Sequence, residues 1–196
     1  MKPGRALDGV AIYPDCPTVV RTIRVGGLSK SELLAELLRN SIQLNEYGRN
    51  LFAHNEFTTS TVVSQLATVE LAVAHLGLLR GATTERIHER ASELGLTLCP
   101  LELGPHLRLQ FLDQPEGHLG HPPSKHRAPP GSITVASRPL TDDVDTPKGF
   151  YLRRIDGVLW LRGYRCAPDD IWRPEDRLVF CRPPHTASVS SENSSQ

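Results

Sequence analysis

Residues 149–164, GFYLRRIDGVLWLRGY, constrain the fold of this chain more than any other stretch. Two apolar-rich arms flank Asp156-Gly157, and Asp-Gly between such arms is the signature of a two-residue type I′ turn. A turn of that length sets the register. Ile155 faces Val158, Arg153 faces Trp160, and Tyr151 faces Arg162 on one side. Leu152 faces Leu161 on the other, close to Phe150 and Leu159. The chain must therefore contain an antiparallel ribbon with one apolar face and one face of arginines and aromatics.

Other segments group around this ribbon. VVRTIRV (19–25) alternates as a strand and stops at Gly26-Gly27. Ser29 and Glu32 then form a capping-box pattern, followed by Leu33, Leu34, Leu37 and Leu38 at helical spacing. Leu44, Tyr47, Leu51 and Phe52 allow a second short helix. Val62, Leu66, Val69, Val73 and Leu76 recur at steps of four and three and predict a helix ended by Gly77. The β-branched residues there oppose a helix, which tertiary burial would have to hold. Thr83 or Thr84 opens another helix, with Ile87, Ala91 and Leu94 inward and Gly95 as terminator. HLRLQFL (106–112) alternates and predicts a strand with Leu107, Leu109 and Phe111 inward. SITVAS (132–137) and DRLVFC (176–181) predict two more strands.

A first strand, three or four helices and then hairpin-linked strands describe an α+β fold with a mainly antiparallel sheet. With 196 residues, one domain over 18–182 is expected, with a flexible extension at 1–17 and a disordered polar tail at 183–196. The 22 basic and 22 acidic residues cancel, so no global field favours nucleic acid or an anionic membrane. The N-terminal residues lack the apolar core of a secretory signal, and no run approaches the roughly 20 apolar residues of a membrane span. A soluble cytoplasmic protein is the resulting expectation. Cys16, Cys99, Cys166 and Cys181 form no C-x-x-C pair and read as buried free thiols, so no metal is expected.

There is no G-x-x-x-x-G-K-[ST], G-x-G-x-x-G, G-x-S-x-G or H-E-x-x-H. No cofactor is expected. At GGLSKSELL, QLNEYGRNLF, LCPLELGPHLRLQFLDQPEG and GVLWLRGY the chain resembles a family of short bacterial proteins without assigned activity, some labelled "helicase". The resemblance spans about Thr22 to Cys181. It implies a bacterial, soluble, single-domain protein and supplies no catalytic residues. The label lacks the ATP-binding loop that strand separation needs.

Two groups of residues are candidates for a site. The first is the stretch 98–117. On the expected strand, Arg108 and Gln110 share the polar face, Asp113 and Gln114 follow, and Glu102 and His106 lie on the approach. Arg108 offers a forked cation for carboxylate or phosphate. The same alternation also describes the wet face of any half-buried strand. The second is the hairpin face with Tyr151, Arg153, Trp160 and Arg162, either self-satisfied surface pairs or a stacking platform with cations. Between the two runs a Pro-, Gly- and His-rich loop, 113–131, where Arg127 is a further anion contact and His118, His121 and His126 read as loop residues. His54 and Glu56 read as a cap region.

The leading expectation is a domain that binds a small anionic or aromatic ligand, or a protein partner, in a cleft where the loop joins the two groups. In that reading, Arg108→Ala removes binding and leaves the melting temperature nearly unchanged. The alternative is a small metal-independent enzyme cleaving phosphodiester bonds, as an RNase does. There Glu102 is general base, His106 general acid, and Arg108 stabilises the phosphorane.

Overall fold

The computed structural model describes residues 10–119 and 128–183. Strand β1 (Val19–Val25) leads through Gly26-Gly27 to helix α1 (Lys30–Arg39), whose Ser29–Glu32 capping box is fully formed. A short β2 (Gln43–Leu44) and α2 (Glu46–Ala53) follow, then β3 (Ser64–Ala72) with a 3₁₀ turn at Val73–Leu76. Helices α3 (Thr84–Glu93) and α4 (Leu103–Gln110) precede β4 (Ile133–Val135), β5 (Gly149–Ile155), β6 (Val158–Tyr164) and β7 (Arg177–Cys181). The strands form one seven-stranded sheet in the order β1-β3-β7-β4-β5-β6-β2. Pairings β1·β3, β3·β7, β4·β5 and β5·β6 are antiparallel, while β4·β7 and β2·β6 are parallel. The fold is α+β.

The β5–β6 hairpin has the expected register, with Arg153 opposite Trp160, Tyr151 opposite Arg162 and Leu152 opposite Leu161. Asp156 at φ 53° and Gly157 at φ 73° make the turn, both left-handed as type I′ demands.

Two segments differ from expectation. Residues 64–72 form a strand, not the interior of a helix, and Val62 is exposed. Pairing on both edges, with β1 and β7, suits the β-branched residues and lets both faces be buried. Its apolar residues fall on both faces, Leu66 on one and Val69 and Leu71 on the other, so helical spacing can be picked out of it by chance. Residues 103–110 form a helix, not a strand. Leu103 and Leu107, four apart, are both fully buried. Pro105 sits in its first turn, where the missing N–H costs no hydrogen bond. Gly104 lets the helix lie directly on β5, since a Cβ there would come within 2.8 Å of the Phe150 side chain.

The sheet separates two cores. On its first face, α1, α2 and α4 bury Leu33, Leu37, Leu51, Phe52, Leu103 and Leu107 against Ile23, Val135, Phe150, Leu152, Leu161 and Val179. On its second face, α3 and the 3₁₀ turn bury Ile87, Ala91 and Leu76 against Val69, Leu71, Leu178 and Phe180. Of the expected N-terminal extension, residues 10–17 are described: the Tyr13 N–H donates to the His75 carbonyl at 2.9 Å, and Cys16 is buried in the second core. Of the expected tail, all but Pro183 lies outside the described residues. No helix among the described residues is long and apolar enough to cross a membrane.

Candidate functional site

Helix α4 carries three of the candidate residues, with a fourth, Glu102, at its N-cap, and its helical form redistributes them. Glu102, at the helix N-cap, is buried, and its Oε2 accepts the Ser60 N–H at 3.0 Å. One turn on, His106 is buried and its Nε2 accepts the Gly26 N–H at 3.1 Å. That bond places the proton of the neutral imidazole on Nδ1. Burial lowers the His106 pKa; Glu102 opposes the shift and Arg24 adds to it. The two residues line separate shallow clefts. Glu102 borders one of about 340 Å³ with Glu56, Thr58, Thr59 and Ser60. His106 borders one of about 530 Å³ with Arg24, Gly26, Gly27 and Gln110.

Arg108 is fully enclosed. Its guanidinium donates to Gln114 Oε1 at 2.5 Å and to the Phe111 carbonyl. Burial, with the nearby Arg154 charge, lowers its pKa to about 10, against a smaller opposing pull from Asp113. The cation persists at neutral pH but faces no cleft. Gln110, in contrast, is exposed and acts on the sheet edge. It accepts the Arg24 N–H at 3.0 Å and donates to the Arg24 carbonyl at 2.8 Å, standing in for a neighbouring strand. This differs from the expected polar strand face, since a helix turns Arg108 inward and Gln110 outward.

The loop after α4 is held at its base. Gln114 is buried and donates to the Gly131 carbonyl at 2.9 Å and to the Leu152 carbonyl at 3.4 Å. Gly117 donates to the Arg154 carbonyl at 2.8 Å, and Glu116 pairs with Arg154 at 3.1 Å. Asp113 is exposed. Arg127, His121 and His126 lie outside the described residues.

The hairpin residues lie across the sheet from α4. Leu152 and Leu161 point into the first core, so Tyr151, Arg153, Trp160 and Arg162 lie on the second face. Helix α3 covers β3 and β7 on that face; of the four hairpin residues, Tyr151 is buried and Arg153, Trp160 and Arg162 are half-buried. The Arg153 and Arg162 guanidiniums stand 5.2 Å and 5.1 Å from the Trp160 ring centroid. Neither has a carboxylate partner among the described residues, and the Nε of each is enclosed without an acceptor. Burial, then the Arg162 charge, lowers the Arg153 pKa. Behind them Tyr151 packs edge-on to Tyr164, and Tyr164 to Trp172, whose indole N–H donates to Thr84 Oγ1 at 2.9 Å. This aromatic chain ties the platform to the start of α3.

The sheet therefore divides the candidates into two groups. Glu102, His106, Arg108, Gln110 and Gln114 belong to the first face, and Tyr151, Arg153, Trp160 and Arg162 to the second. Two further constellations were not legible in the sequence. Glu70, only 4% exposed, pairs with Arg21 at 2.7 Å and with Arg177, joining β1, β3 and β7. Cys99 and Cys181 meet with their sulfurs 3.1 Å apart. Both depend on strand neighbours distant in sequence, and no local pattern signals them. No group of three or more His, Cys, Asp or Glu among the described residues is arranged to hold a metal. Comparison with protein-family models, curated proteins and solved structures finds no match.

Proposed function

We propose that this protein binds a ligand bearing an anionic group beside an apolar or aromatic part, on the open half of the second sheet face. The observation that carries this reading is the Arg153–Trp160–Arg162 cluster. Arg21, Arg154 and Arg177 each have a carboxylate partner on the first face, whereas these two guanidiniums share an indole and have none among the described residues. Two adjacent cations repel one another, and an anion beside their guanidiniums relieves that repulsion. Phosphate and carboxylate fit the guanidinium fork, and the half-buried Trp160 indole between the two arginines offers apolar contact.

The test is titration with AMP, which carries both a phosphate and an aromatic base, in a Trp172→Phe background where Trp160 is the sole tryptophan, read by selective tryptophan excitation. Saturable quenching that disappears in Arg153→Ala/Arg162→Ala supports the reading. A response equal in both proteins, or none with AMP or inorganic phosphate, overturns it. Phosphodiester cleavage has weaker support. Glu102 and His106 are each bonded to a backbone N–H and border different clefts, and Arg108 is enclosed. RNA incubated with the protein in EDTA is accordingly expected to remain intact.

A further inference from the structure

Cys99 and Cys181 are both buried in the first core, 4% and 6% exposed, and their sulfurs lie 3.1 Å apart as free thiols. The backbone around them is held on every side. The Thr97 N–H donates to the Cys181 carbonyl and the Cys181 N–H to the Thr97 carbonyl, each at 2.9 Å. The Cys99 backbone N–H donates to the Ala136 carbonyl at 2.7 Å, and Cys99 forms a β-bridge with Ser137. The segment through Thr97 and Cys99 is thus wedged between the end of β7 and the chain leaving β4. A disulfide needs an S–S distance of about 2.05 Å, so the two sulfurs have to approach by about 1 Å. The other two cysteines are set apart. Cys16 lies in the second core, across the sheet, and Cys166 is half-buried near Thr84.

We propose that Cys99 and Cys181 form a redox-reversible disulfide that staples the segment leading into α4 to β7, with a peroxide as the oxidant. Cys181 reacts first. With both thiols protonated, the Cys181 S–H donates to Cys99 Sγ at 3.1 Å and the Cys99 S–H to the Val179 carbonyl at 3.5 Å; once Cys181 loses its proton, the Cys99 S–H can turn to it and stabilise the thiolate. That hydrogen bond lowers the Cys181 pKa, while burial raises that of Cys99. The Cys181 thiolate attacks one peroxide oxygen, the O–O bond breaks, and the departing hydroxide leaves as water with a proton from solvent. The Cys99 sulfur then attacks the resulting sulfenic sulfur. The S–O bond breaks, and hydroxide leaves as a second water with the Cys99 proton. In sum, two thiols and one hydrogen peroxide give one disulfide and two waters. The cross-link closes a loop between residues 82 apart in sequence, so it ties the chain together over a long span.

The inference is independent of the anion-binding platform, which lies on the opposite face. The test treats the folded full chain with hydrogen peroxide, then alkylates it in denaturant and maps the peptides by mass spectrometry. A Cys16→Ser/Cys166→Ser variant isolates the pair. The expected result is an intramolecular Cys99–Cys181 peptide, a mass lower by two hydrogens, and full return of both thiols with dithiothreitol. Cys99→Ser abolishes the link and leaves Cys181 open to a sulfenic-acid trap. Recovery of both cysteines as alkylated thiols overturns the proposal. So does separate oxidation of each to sulfinic acid, or linkage that appears only after unfolding.

Discussion

Arg108 is a cation in the interior, and its role follows from what its guanidinium touches. It holds Gln114 and the Phe111 carbonyl, and Gln114 in turn holds Gly131 and the β5 backbone at Leu152. Truncating it leaves the Gln114 oxygen and a buried carbonyl without donors and opens a cavity under α4. Arg108→Ala is expected to lose about 3–5 kcal/mol of stability in urea denaturation. Arginine in an alternating HLRLQFL looks like a ligand-facing cation, because nothing local distinguishes that pattern from a helical turn. Leu103, one turn before Leu107, is the residue that resolves it, and it lies beyond a Gly-Pro that resembles a turn. Arg153 and Arg162 were legible in position, because their placement depends only on the adjacent turn.

Among the elements, the two left-handed turns make the sharpest contrast. Gly157 ends the hairpin turn with open space around a would-be Cβ, so Gly157→Ala pays only for left-handed backbone, about 1–2 kcal/mol. Gly26 has a similar φ of 80°, but a Cβ there would come within 2.2 Å of the Val62 carbonyl oxygen. The loop before β3 presses on it, and its N–H is bonded to His106. Gly26→Ala is therefore expected to destabilise clearly more than Gly157→Ala, as the two midpoints in denaturant would show. The exchange of a predicted helix for β3 has a similar origin. The β-branched residues pointed to a strand, but the flanking turn at Val73–Leu76 extended an apparent helical spacing past the strand end.

For the molecule as a whole, histidine burial sets a pH dependence. The pKa values of His106, His88 and His75 are all lowered, each chiefly by burial. Below about pH 6.5, the ordinary histidine range, the unfolded chain takes up protons that the fold resists. Stability is therefore complete above that range and falls as pH drops through it toward the folded-state values. The urea midpoint is expected to be lower at pH 5.5 than at pH 7.5. A midpoint that is flat or rises on acidification would contradict these assignments.

Contacts made within one turn or one hairpin were available from the order of residues alone. The capping box at Ser29 and Glu32, the Thr83 cap, and the β5–β6 register with Arg153 opposite Trp160 are of this kind. Each is set by backbone geometry over a few residues, and that geometry is the same wherever the segment is placed. The partition of the candidates onto opposite faces of the sheet needed the complete fold. So did the enclosure of Arg108, the Gln110 amide on the edge of β1, and the meeting of Cys99 with Cys181. These depend on which strands become neighbours across 80 or more residues, as in the Gly26–His106 and Cys99–Cys181 contacts. That choice is made by burial summed over two cores, which no short segment encodes.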